Sequence, residues 1–168
     1  TVFHARFALG DRLTIEKNIL NDFGPDSSSV NRRGKVVIAT QVVEQSLDLD
    51  FDFMISDLAP IDLIIQRAGR LCRHPRDGSG DRVDGSDRRG MPEMVVYMPS
   101  PDGEIKADWY ANIFPKAEKI YEHHGRLWLT AKWLAENQRF SVPSDLRIMI
   151  EYVYGDDNEK KIPEVLQK

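Results

Sequence analysis

At 168 residues the chain is long enough for one domain with a core of its own and an appendage. It is 41% hydrophobic and 30% charged with a net charge of −4, which excludes a globally basic nucleic-acid-binding surface and leaves a local patch or binding beside a partner domain. A single cysteine, Cys72, excludes an internal disulfide framework and a Cys-rich zinc site and fits a reducing compartment, and no apolar run reaches the roughly 18 residues of a membrane span.

Residues 2–5 are short and apolar and predict a buried strand. The opening TVFHARF has no basic flank followed by a long apolar stretch, so it is not a signal peptide. It reads as a strand whose preceding elements are missing, so a piece of a longer domain is expected. Residues 11–23 show helical spacing, with Ile15, Ile19, Leu20 and Phe23 on one side. Gly24 and Pro25 stop that helix, glycine taking a left-handed cap and proline being unable to continue. A polar loop, 26–34, leads to the apolar run 36–39, read as a strand covered on both faces as in a parallel sheet.

Between 47 and 53 the chain alternates. Leu47, Leu49, Phe51 and Phe53 are apolar, and Asp48, Asp50 and Asp52 acidic, which predicts extended chain with one wet face. Residues 53–56 continue as a core strand. From Pro60 the period changes to that of a helix ending at Pro75. Ile64, Ile65, Ala68, Leu71 and Cys72 form its apolar stripe, with Gln66, Arg70 and Arg73 opposite. Residues 75–92 are rich in Gly, Asp and Arg and have almost nothing to bury, which predicts a flexible loop. A strand at 94–98, a long helix at 115–138 with Gly125 as its weak point, and a helix at 144–154 complete the order. Strands alternating with helices argue for an α/β layer fold.

In parallel α/β sheets ligands gather at the carboxyl ends of the strands. Thr40 stands at one such end, and the helix carrying Gln66, Arg70 and Arg73 follows the next strand. Arg70 and Arg73 are one turn apart, so both guanidinium forks can converge on a phosphate. Gly69 removes a side chain just before Arg70 and permits close approach of another surface. The plain alternative is two surface arginines on an amphipathic helix. Other candidates are weaker. The acidic alternation lacks the glycine and terminal glutamate of an EF-hand. His123 and His124 are adjacent on a helix and cannot face one metal. His4, Trp109, Trp128, Trp133 and Cys72 read as packing residues. No Gly-Lys-Thr or Gly-Lys-Ser phosphate loop is present, so the chain is not a complete ATPase of that type.

TQVVEQSLDLDFD followed by QRAGRLCRH resembles the fifth and sixth motifs of superfamily two helicases. More narrowly, VVEQSLDLDFD, DLIIQRAGRLCRH and the earlier FHARF resemble the helicase–nuclease of type I CRISPR interference systems. PKAEKIYEHHGRLWLT and VPSDLRIMIEYVYG resemble that family's region after the second motor domain. The resemblance implies a RecA-like parallel sheet flanked by helices, N-terminally incomplete. Residues 1–100 would be the second motor domain, and 101–168 its end with a helical linker region. It implies catalytic arginines at Arg70 and Arg73, with Arg73 as the finger, and nucleotide-side roles for Gln66, Asp48 and Gly69. It implies single-stranded DNA contacts at Thr40, with Gln41 and Arg6 nearby. Ser46 and Gln45 depart from the Gly and Arg common in the superfamily. The implied cofactor is ATP with Mg²⁺, held mainly by a first RecA-like domain, so this stretch alone is expected to hold no cofactor and to turn over little ATP. The implied partners are single-stranded DNA, a guide-RNA surveillance complex, and the first RecA-like and HD nuclease domains of the same protein, in the cytoplasm of a prokaryote with no membrane. A general helicase outside CRISPR defence, and a non-catalytic module docking through the 115–138 helix, remain as alternatives.

Overall fold

The structure, a computed structural model, describes residues 1–44 and 47–167. Gln45 and Ser46, the two departures from the helicase pattern, lie outside the described residues. The chain forms two compact units, one of Thr1–Met54 with Gln66–Met94, the other of Ile55–Ile65 with Val95–Lys168.

In the first unit β1 (Val2–Phe3) leads through a turn to α1 (Leu9–Phe23), which buries Ile19 and Phe23. Helix α1 stops where expected, but by another device. Gly24 is extended, with φ −78°, and its N–H donates to the Leu20 carbonyl at 2.7 Å. Glycine is needed for that close approach, since a Cβ there would collide with the same carbonyl oxygen. The short α2 (Ser29–Arg32) is held by a reciprocal Ser28–Asn31 capping box. Strand β2 (Ile38–Ala39) pairs parallel to β1 in the register Val2↔Ile38, Phe3↔Ala39. The core gathers Phe3, Ile19, Phe23, Val42 and Leu49. The expectation of a strand covered on both faces fails here, for Ile38 is 66% exposed and only the Phe3 side is packed.

Strand β3 (Phe53–Asp57) is followed by α3 (Ile61–Ala68), and β3 is hydrogen-bonded to β4 (Glu93–Tyr97). Both strands fall within a residue of the sequence reading. β3 is no core strand, however, because Phe53 and Ile55 sit on an open face and only Ser56 is buried.

In the second unit the long 115–138 helix resolves into a short 3₁₀ turn at Ala117–Lys119 and α4 (His124–Asn137). The cause is aromatic. Tyr110 is fully buried with its hydroxyl donating to the Leu58 carbonyl at 3.0 Å, and Phe114, Tyr121 and His124 pack around its ring. That cluster folds the stretch before His124 into turns. Gly125, read as a weak point, is a packing requirement: a Cβ there would lie 2.6 Å from Ile162 Cγ2. Trp109, Trp128 and Trp133 are all core, as the sequence suggested, and α5 (Leu146–Tyr154) buries Met149 and Val153. The acidic α6 (Asp156–Glu159) follows. No helix among the described residues is long and apolar enough to cross a membrane.

Candidate functional site

The site is built in the first unit, where the acidic alternation meets the segment after α3. The sequence placed Gln66, Arg70 and Arg73 on one helix, but α3 ends at Ala68, and of the three only the exposed Gln66 is on it. Arg70 and Leu71 close turns back onto Arg67 and Ala68. Leu71 then leaves to form a parallel bridge with Phe51, in which the Phe51 N–H donates to the Arg70 carbonyl at 2.7 Å and the Cys72 N–H to the Phe51 carbonyl at 2.9 Å. Burying Leu71 against the extended chain outweighs continuing the helix, which Gly69 has already weakened. Cys72 takes φ +45°, a left-handed turn rare for a residue with a side chain. Burial pushes its thiol pKa up, so it is poorly suited to act as a thiolate.

Arg70 and Arg73 nevertheless come together, by way of this turn. Burial and the neighbouring Arg73 charge hold the Arg70 pKa below its ordinary value, while Asp48 pulls the other way. Arg70 Nε is buried and has no hydrogen-bond partner among the described residues. Arg73 Nε lies 3.1 Å from Asp48 Oδ1, with both side chains more than 40% exposed. His74 Nε2 reaches the same oxygen at 3.0 Å. A pair this open contributes little to stability and is easily exchanged for another anion. The donors here are cationic forks and an amide, which suit an anion rather than a metal, and no group of three or more His, Cys, Asp or Glu among the described residues could hold a metal ion.

Thr40, Gln41 and Arg6 occupy one edge of the β1–β2 pair, just past the carboxyl ends of these parallel strands. The Thr40 N–H donates to the Phe3 carbonyl at 3.1 Å, and Thr40 and Arg6 are exposed.

The wet face expected at Asp50 and Asp52 holds at Asp52, whose side chain is 49% exposed, and fails at Asp50. Asp50 is fully buried. Its carboxylate accepts from Arg76 Nε at 2.5 Å, from Arg89 Nη2 at 3.0 Å and from the Arg73 backbone N–H at 2.8 Å. Arg32 and Arg89 reach Asp52, and Asp87 pairs with Arg89 at 2.6 Å. Arg32, Arg76 and Arg89 thus balance Asp50, Asp52 and Asp87. Arg76 also donates to the carbonyls of Gly24, Ser27 and Gly80. The loop 75–92 is therefore not without buried content, since it threads two arginines into the unit. Sequence reading missed this knot. Its one trace is the balance of four arginines against four aspartates in that loop, a pattern suited to internal pairing.

Burial alone would raise the Asp50 pKa, but the hydrogen bonds of Arg76 and Arg89 and the charges of Arg89 and Arg32 hold it below the usual carboxylate range. The stabilisation it provides is thus complete above the unfolded aspartate value near 4 and is lost as pH falls through the lower folded value. Denaturant midpoints of the first unit should hold from neutral pH to about 4 and drop below it. A midpoint unchanged through that acid range would contradict the ionised knot.

A family profile described as CRISPR-associated nuclease/helicase Cas3, C-terminal, matches residues 1–76. The CRISPR-associated endonuclease/helicase Cas3 of Thermus thermophilus is 35% identical over 169 aligned residues, which take in 99% of this chain and 16% of that protein. The crystal structure of T. fusca Cas3 with ATP superposes with a TM-score of 0.72 at 36% identity, covering 94% of this chain and 17% of that one. A chain of a CRISPR RNA-guided surveillance complex in a pre-nicking state matches with a TM-score of 0.64 at 35% identity, over 94% of this chain and 18% of that one. The class is that of a RecA-like α/β domain flanked by helices. Within it, the chain belongs to the Cas3 family of CRISPR-associated nuclease/helicases, and it spans about a sixth of the length of the relatives it matches.

Proposed function

We propose that this chain supplies the arginine half of an ATP site, and part of the DNA track, in an ATP-driven single-stranded-DNA translocase and helicase with nuclease activity that acts in CRISPR interference. The observation that carries the reading is the Arg70–Arg73 pair, side by side past the end of α3, with one guanidinium nitrogen buried and unpartnered among the described residues and the other fork lightly held by Asp48. Bound ATP, with Mg²⁺, supplies the phosphoryl group whose transfer to water drives movement. Arg73 is the finger: it leaves Asp48 and places its fork on the oxygens where charge develops. Arg70 adds a second positive charge beside it and keeps its place through burial. Gln66, Gly69 and Asp48 line the same approach, Asp48 serving as resting partner for Arg73 and contact for the nucleotide ribose.

The chain lacks a phosphate loop, so the nucleotide is held by a partner RecA-like domain of the same protein, and the stretch alone turns over little ATP. Residues 1–100 serve as the second motor domain and 101–168 as its end with a helical linker. An HD nuclease domain, the guide-RNA surveillance complex and invading DNA complete the machinery in the prokaryotic cytoplasm. Relatives crystallised with ATP and found in a surveillance complex support this reading.

Thr40, Gln41 and Arg6 form the DNA side, where the parallel strand ends offer the exposed Thr40 hydroxyl and Arg6 guanidinium, with the half-buried Gln41 beside them, to a phosphate backbone. In the intact protein, Thr40→Ala is expected to raise the single-stranded DNA concentration for half-maximal ATPase stimulation about three- to tenfold, the worth of one hydrogen bond. An unchanged DNA titration would remove Thr40 from the track.

A further inference from the structure

The backbone around Arg73 is clamped from both sides by one buried ion pair. The Arg73 N–H donates to Asp50 Oδ1 at 2.8 Å. The carbonyl of the following residue, His74, accepts from Arg89 Nη2 at 2.8 Å. Arg89 Nη2 also donates to Asp50 Oδ1 at 3.0 Å, which closes the ring. The Arg73–His74 segment is thus enclosed by Asp50 and Arg89, and Arg89 is fixed in turn by Asp52 and Asp87. The segment follows a left-handed residue and lies outside any helix or strand, and its two side chains share the half-exposed Asp48 carboxylate.

We propose that Arg89, with Asp50, is a positioning residue for Arg73, setting the direction from which the finger approaches the nucleotide. This inference rests on the finger reading of Arg73 given above. Arg89 touches no substrate in this account. It acts through the His74 carbonyl and the Asp50 carboxylate, and its planar fork is needed because a single ammonium cannot serve His74, Asp50, Asp52 and Asp87 together. It explains why an otherwise irregular loop 75–92 carries a side chain only 7% exposed.

The test is steady-state, DNA-stimulated ATPase of the intact protein in four forms: wild type, Arg89→Ala, Arg73→Ala and the double variant. Misdirecting the finger is expected to lower kcat about 10- to 100-fold in Arg89→Ala with KM for ATP unchanged. The double variant is expected to turn over no more slowly than Arg73→Ala alone, since without the finger its support is idle. Were Arg89 merely structural, its loss would also depress the Arg73→Ala background, and that additivity overturns the proposal. So does normal kcat in Arg89→Ala when Arg73→Ala is impaired. Normal kcat in Arg73→Ala instead sinks the finger reading, and this inference with it. Should alanine at 89 prevent folding, Arg89→Lys keeps the charge but not the fork, and the same readings apply to it.

Discussion

Arg73→Ala in the intact protein is expected to lower the ATPase kcat at least about 10³-fold, the lower end of what an arginine finger contributes to phosphoryl transfer. Melting temperature should move little, because among the described residues the side-chain partner of Arg73 is Asp48 and that pair is open to solvent. Arg73→Lys should recover only a small part of the rate, since a point charge cannot bridge two oxygens of the transferring group. The loss should fall on kcat and not on KM, because the guanidinium acts where charge develops and the nucleotide is gripped elsewhere. Near-normal turnover in Arg73→Ala would leave the open Asp48 pair as nothing more than a surface contact.

The second large effect concerns stability. Arg76→Ala is expected to cost the first unit about 3–5 kcal/mol, as removal of one partner from a buried ion pair usually does. That is a large share of the roughly 5–15 kcal/mol by which a domain is stable. The loss has two sources. Asp50 keeps its charge in a place closed to water with one fewer donor, and the carbonyls of Ser27 and Gly80 lose the Arg76 donor, while that of Gly24 keeps those of Ser27. Asp50→Ala should be about as damaging, because it strands Arg76. The double variant should be less destabilised than the sum, since neither charge is then left without its partner. Urea titration of the three variants reads this directly, and strict additivity would show that the Asp50–Arg76 contact is incidental.

The order of elements was legible because it rests on local signals. Gly24 after Phe23, the continuous apolar run at 94–98 and the spacing of Met149 and Val153 each mark an element without reference to the rest of the chain. What the sequence obscured depends on partners distant along it. Helical periodicity carried Arg70 and Arg73 onto α3, yet Leu71 is drawn off to bridge Phe51, twenty residues earlier. Alternation at 47–53 gave the exposure of Asp48 and Asp52, but Asp50 between them is closed off by guanidinium groups from Arg32, Arg76 and Arg89. No period in residues 75–92 announces that two of its arginines turn inward. In the second unit the ring of Tyr110 sets the start of α4 later than helical spacing proposes. The candidate arginines were singled out by helical spacing and given their roles by motif resemblance, and their proximity survives the loss of the helix because the turn at Cys72 returns Arg73 toward Asp48.

The most direct measurement compares two ligands on the intact protein, with and without Arg73. ATP mimics the ground state, and ADP with aluminium fluoride mimics the charge of the transferring phosphoryl group. Arg73→Ala is expected to leave the Kd for a non-hydrolysable ATP analogue within a few-fold of wild type and to weaken the ADP–aluminium fluoride complex by about 100-fold or more. Equal Kd values for both ligands in wild type and variant would contradict the account, for Arg73 would then make no contact that grows as the phosphoryl group moves.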